Sequence, residues 1–368
     1  MGFPSGPDSP PMTRPEPAPQ TVVQQPPINM TPWQYQPPWD PVRARREQKE
    51  RSIANLKRRL KQFGALSGFT LFFYLAIAVF AMILIAPEIM QNLLSRSTSL
   101  FVITPSVVPI LSITGVVLVG YFVFLVLAIL ISYLYSMGES LLPAANEVIL
   151  GKPGRHSTIL TVGGLFFAVL VLNFIYYLLV ESSGVSPNVP DFESDPLWAS
   201  VFSFANASVW EEIISRVLLV GIPLLWIDLL FRRKQLLPPI RYLVGGKIKF
   251  GFIECALILF SATMFGFAHV GGWDIWKVFP SLISGLCFGY LFVRIGLYAA
   301  IIFHFAFDFL TVPTRYFGAG ANLVLDIFVL IWLAAGLMFT VYYSIRLGRF
   351  LRESLSAWSK RDRGVPQN

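Results

Sequence analysis

Charge is scarce in this 368-residue chain: 14% of its residues are Asp, Glu, Lys or Arg, against 55% hydrophobic and 15% aromatic. With a mean hydropathy of +0.62, that composition excludes a soluble globular protein. Cysteine is nearly absent. Cys255 and Cys287 both lie in apolar stretches with no CxxC pair, so neither a disulfide framework nor a thiolate metal site is implied. Histidine occurs three times and no HExxH motif is present, which removes the usual helical zinc-protease signature. The first apolar stretch begins near Phe63, too late and too long for the h-region of a signal peptide. The chain shows no internal repeat of the transporter kind.

What the chain does have is a series of unbroken apolar runs, each long enough to cross the hydrocarbon core as a helix. They fall near 64–86, 107–135, 158–180, 199–231, 251–271, 276–293, 297–313 and 322–345. The expected fold class is therefore all-α, a polytopic membrane helix bundle of about eight transmembrane helices. Residues 1–42 hold 13 of the 27 prolines and little aliphatic content, and read as a disordered tail. Residues 43–62 are strongly basic, with Ile53, Leu56 and Leu60 at helical spacing, and read as a juxtamembrane helix against anionic lipid headgroups. The bundle then occupies 63–346, and a basic cytoplasmic tail 347–368 closes the chain. The net charge of +8 fits cytoplasmic loops on a membrane surface, with no nucleic-acid partner. Alternating the spans from a cytoplasmic N-terminus puts 25 Lys and Arg inside and three outside (Arg96, Lys277, Arg315), with Arg216 alone in the membrane. Both termini are thus expected in the cytoplasm.

A charged side chain at mid-bilayer costs about 2.5–3.5 kcal/mol, so such groups are functional candidates by default. The fourth span carries Ser208, Glu211, Glu212, Ser215 and Arg216, the fifth His269, and the seventh His304 and Asp308. Glu212 and Arg216 stand four apart on one helix face, so the guanidinium can neutralise that carboxylate. Glu211 lies about 100° around the helix with no local cation. A buried, unpaired carboxyl of this kind is how a general base poised near neutrality is made. His304 and Asp308 are again four apart, so the carboxylate can orient the imidazole. His156, beside Arg155 in a loop, reads as a surface residue, while Asp228 and Glu254, near the cytoplasmic ends of their spans, are expected to snorkel to the interface.

At these residues the sequence resembles the CPBP family of intramembrane proteases, which includes type II CAAX prenyl endopeptidases and bacteriocin-processing proteins. Three motifs match in order: EExxxR at Glu211-Glu212-Ile213-Ile214-Ser215-Arg216, FxxxH at Phe265 to His269, and HxxxD at His304 to Asp308. The similarity covers a motif core of about 195–312. The resemblance implies a peptide-bond hydrolase in which Glu211 and His269 activate water, and His304 and Asp308 stabilise the oxyanion. Glu212, Arg216 and Phe265 would support them. It implies a membrane-associated, possibly lipidated, peptide or protein substrate. Family members often have Asn at the position of Asp308, and an ionised Asp cannot donate to an oxyanion. Under the resemblance, both a zinc enzyme with His269, His304 and Glu211 as ligands and a metal-free glutamate mechanism stand open. Two other classes use the same residue types: a proton- or ion-coupled transporter or channel, and a non-catalytic membrane scaffold. In the expected orientation Glu211 lies mid-membrane or in the outer half, a position that suits a cytosolic CaaX substrate poorly.

Overall fold

The computed structural model describes residues 41–150, 157–192 and 194–362. The expected disordered tail up to residue 40, His156 and Glu193 lie outside the described residues. Of the compact unit Met1–Ala54, the described part is the first turns of helix α1 (Pro41–Leu93), where Arg43 Nε meets Glu47 Oε1 at 3.0 Å one turn on. Everything below belongs to the second unit, Asn55–Asn368.

After α1 come strands β1 (Ser97–Ile103) and β2 (Val107–Thr114), then helices α2 (Gly115–Leu150), α3 (Thr158–Ser182) and α4 (Leu197–Asn206). The chain continues through two π-helical stretches into α5 (Ile222–Phe231) and α6 (Pro239–Val244). Next are α7 (Phe252–Ala268), α8 (Val270–Trp273), α9 (Val278–Arg294), α10 (Leu297–Asp308), α11 (Val312–Phe317) and α12 (Ala319–Asp362). Among the described residues seven helices are long and apolar enough to cross a bilayer, and Leu297–Asp308 is a shorter apolar helix. Together they account for the eight expected spans. The chain is an integral membrane protein. At 1.5 Å per residue, the 12 residues of α10 reach only about 18 Å, short of a hydrocarbon core of about 30 Å, and His304 and Asp308 lie toward its C-terminal end.

One expectation fails. The second apolar run starts as a strand: residues 107–114 pair antiparallel with 97–103, from Ser97↔Thr114 to Ile103↔Val107. The register shifts between Leu100 and Phe101, opposite Pro109, whose missing N–H is tolerated at such an irregularity. An apolar run has no period by which to tell strand from helix, and only the β-branched density of 107–114 and its proline argued for a strand. Gly115, at φ +54, turns the corner into α2, a conformation a side chain would strain.

The core is aromatic. Trp332, wholly buried, packs against Tyr74, Phe166, Phe167 and Phe328, and its Nε1–H donates to Thr70 Oγ1 at 2.9 Å. Helix α12 presses on α3 closely enough that a Cβ at Gly336 would collide with the Phe167 carbonyl. Small residues letting backbones approach in this way are the usual basis of helix association in membranes. Tyr74 also donates to the Leu310 carbonyl at 2.7 Å, tying α1 to the turn that follows α10.

Candidate active site

The fourth span is not an ordinary helix where it matters. Ala207–Glu211 and Ile213–Gly221 are π-helical, so the EExxxR motif sits in a widened helix. A proximate cause is visible at its far end. Pro223 has no N–H to donate, and the N–H of Ile222 reaches back five residues to Val217. Short π segments are frequent at functional sites, and here they carry Glu211 and Arg216 and flank Glu212 on both sides.

From this helix a continuous polar chain crosses the bundle. Arg216 Nε lies 2.9 Å from Glu212 Oε2, with both side chains fully buried. The other side of Arg216 is committed as well: Nη1 donates to Ser261 Oγ at 2.8 Å, and Ser261 Oγ donates to the Ser215 carbonyl at 2.6 Å. Its guanidinium is sandwiched between the rings of Phe265, at 5.5 Å, and Phe288, at 5.3 Å. Glu212 Oε1 then meets His304 Nδ1 at 3.0 Å, and His304 Nε2 faces Asp308 Oδ2 at 3.3 Å. Ser208 Oγ, back on the fourth span, lies 3.4 Å from the same Asp308 oxygen. Phe288 stacks on the His304 ring at 4.8 Å and fixes its plane. Ionised carboxylates only accept, so with both acids charged the two ring nitrogens of His304 both carry protons.

Glu211 stands apart from this chain but beside it. Its Oε2 is buried and has no hydrogen-bond partner among the described residues, while His304 and Asp308 lie within electrostatic reach. An orphaned buried carboxylate oxygen calls for a ligand, a proton or a water. His269 caps α7. Its Nδ1 lies 2.7 Å from the Phe265 carbonyl, which can only accept, so the proton is on Nδ1 and the lone pair on Nε2. The Phe265 ring touches both imidazoles, with centroids 4.7 Å from His269 and 6.0 Å from His304. Phe265 thus orients one histidine through its backbone and separates the two with its side chain. Among the described residues no hydrogen bond or ion pair joins His269 to Glu211 directly.

The histidines and Glu211 do not form a metal set. Among the described residues no group of three His, Cys, Asp or Glu is disposed to hold an ion. At His304 both ring nitrogens already face carboxylates, Glu212 and Asp308. The metalloprotease expectation is therefore unsupported, and no step below runs through zinc.

Two features escaped the sequence. Lys277, assigned there to an outer loop, lies within electrostatic reach of both Glu211 and Asp308, its ammonium 3.7 Å from the centroid of the Trp273 ring and 5.7 Å from Trp276. The interleaved Trp-Asp-Ile-Trp-Lys stretch just after His269 was the available signal. Asp274, within it, takes φ 66 and ψ 178, a region almost reserved for glycine. The second feature is a correction. Asp228 and Glu254 do not snorkel: both are only 3% exposed, and Arg232 Nη2 binds them at 2.6 and 2.9 Å. Tyr242 completes the cluster, donating to Asp228 Oδ2 at 2.7 Å and accepting from the Leu237 N–H at 3.0 Å. Partnering by a nearby arginine is what lets two acids stay buried where each alone would have sought water.

Residues 193–310 match the family model described as type II CAAX prenyl endopeptidase Rce1-like. The match covers the span that holds all three motifs and bears out the similarity to the CPBP family of membrane proteases. No curated protein and no solved structure matches the chain.

Proposed function

We propose that the protein is an intramembrane endopeptidase that hydrolyses a peptide bond of a membrane-associated substrate by activated water. The observation that carries this reading is the buried, unpartnered Oε2 of Glu211 beside a chain in which every other acid is engaged. Glu211 and the bare Nε2 of His269 are the two acceptors free to take a proton from water. The water oxygen adds to the scissile carbonyl carbon, and its proton passes to one of these acceptors. The carbonyl oxygen becomes an oxyanion, to which the Nε2–H of His304 turns from Asp308. When the C–N bond breaks, the held proton goes to the leaving amine and the base is restored. Glu212 and Arg216 keep the His304 ring charged and oriented, Asp308 holds its Nε2–H until the oxyanion forms, and Phe265 sets the tautomer of His269.

The matched family model is described as a type II CAAX prenyl endopeptidase, which makes a prenylated peptide one candidate here. The charge distribution supports cytoplasmic termini, with the basic residues 43–62 on anionic headgroups. The test is cleavage of farnesylated and unmodified apolar peptides by the full chain in proteoliposomes. Glu211→Gln and His269→Ala are each expected to reduce turnover by about 10²–10⁴-fold with the fold intact. Unimpaired cleavage in either variant removes the assignment of that residue, and no cleavage of any peptide by the unaltered protein removes the protease reading.

A further inference from the structure

The β1–β2 hairpin precedes the family-matched residues 193–310, yet it is fastened to the site from two directions. Trp210, the residue before Glu211, donates its indole N–H to the Phe101 carbonyl of β1 at 2.9 Å. At the hairpin's tip, Ser106 and Val107 face Phe267, Ala268, Val270 and Ile275 across a cavity of about 640 Å³. The volume falls in the range of roughly 300–1,000 Å³ typical of ligand pockets. Residues on both sides of His269 contribute to its wall, and no charged side chain does. Val107, Phe267 and Ile275 keep 48%, 42% and 69% of their surface exposed, so this apolar wall is left open by the described residues.

We propose that this cavity is the side-chain subsite next to the scissile bond, and that the hairpin tip is its specificity-determining wall, selecting an extended substrate with a bulky apolar side chain. The inference rests on the protease reading. An extended chain advances about 3.3 Å per residue, so a side chain seated beside His269 belongs to a residue within one or two positions of the cleaved bond. A peptide is the occupant because the residues on either side of His269 form one wall of the open cavity, and the hairpin that forms the other is anchored at Glu211's neighbour. Gly271 and Gly272 also line it, and a Cβ at either meets nothing within 4 Å, so side chains added there project into open space.

The experiment uses the full chain in proteoliposomes and a peptide set with Gly, Ala, Leu or Phe at each position flanking the cleaved bond, read by mass spectrometry. The unaltered protein is expected to favour Leu or Phe over Gly at one such position by about tenfold or more in kcat/KM. Gly272→Leu and Ser106→Trp should each bring that ratio down to about twofold or less while small-residue peptides are still cleaved. Unchanged ratios in both variants overturn the proposal. A binding measurement guards against a variant that fails to fold. A photo-leucine peptide should crosslink Glu211→Gln protein at 105–107 or 267–275; labelling only elsewhere, or there by a diazirine acyl lipid but not by the peptide, also overturns it. Crosslinking at the cavity without cleavage of any peptide by the unaltered protein would remove the protease reading and the subsite with it, leaving a peptide-binding cavity.

Discussion

Replacing Arg216 with Met isolates what the buried charge chain contributes. Arg216 is fully buried, and its loss leaves the Glu212 carboxylate facing only His304, with Ser261 deprived of a partner. Breaking a buried ion pair from one side costs about 3–5 kcal/mol. Losing the sandwich between Phe265 and Phe288 adds about 0.5–2 kcal/mol, less whatever the methionine's own packing returns. A net loss of at least about 3 kcal/mol is expected, more than a hundredfold in the folded-to-unfolded ratio at about 1.4 kcal/mol per decade. The second half of the test is Glu212→Gln in the Met background. With both charges gone, nothing ionised is stranded, and at least half of the loss should return. Unfolding by sodium dodecyl sulfate in mixed micelles, followed by tryptophan fluorescence, reads all three proteins. A single variant within about 1 kcal/mol of the unaltered protein, or a double variant less stable than the single one, refutes the argument that this pair is held by mutual need.

Lys277→Met should slow turnover by about tenfold by removing a cation that faces both Glu211 and Asp308, with Lys277→Arg restoring most of it; equal rates in all three proteins would remove Lys277 from the site. At the other end, burial and the carboxylate of Asp228 hold the Tyr242 phenol above its usual value of 10.0. A proton bound more tightly in the folded state gives stability that is complete below pH 10.0 and is lost as pH rises through the folded value, so alkaline unfolding should begin there. Tyr242→Phe should flatten that alkaline limb while lowering neutral stability by about 1–3 kcal/mol through its two lost hydrogen bonds, as a denaturation series across pH would read. Asp274→Gly relieves a backbone conformation worth about 1–3 kcal/mol and should raise the unfolding midpoint; an unchanged or lowered midpoint contradicts strain at that turn.

Much of the site was legible because its residue types are expensive in a membrane and its spacings are short. Glu212 with Arg216, and His304 with Asp308, are each one turn apart, so contacts within a helix follow from spacing alone. Contacts between helices do not. Nothing in the order of residues says that Glu212 reaches across 92 positions to His304, or that Trp210 fastens to β1. The hairpin was hidden because an apolar run reads the same as strand or helix once both faces are buried or in lipid. The fate of Asp228 and Glu254 turned on Arg232, which lies 22 positions before Glu254 and looked like one more cytoplasmic charge. Lys277 was overlooked for a related reason: counting charges by side of the membrane does not see the direction in which a chain folds back.

The unusual winding of residues 207–221 has a bearing on how the candidate site could be rearranged. A stretch that reaches five residues back for each bond contains one more residue than the same length of regular coil needs. Expelling that surplus toward either end would swivel Glu211 and Glu212 against Arg216 and His304 by up to about a quarter of a revolution, since one residue corresponds to about 100°. The acidic pair would then trade neighbours without any span sliding along the bilayer normal. Winding alone, set by whatever presses on the two ends of that segment, would decide which neighbours Glu211 faces.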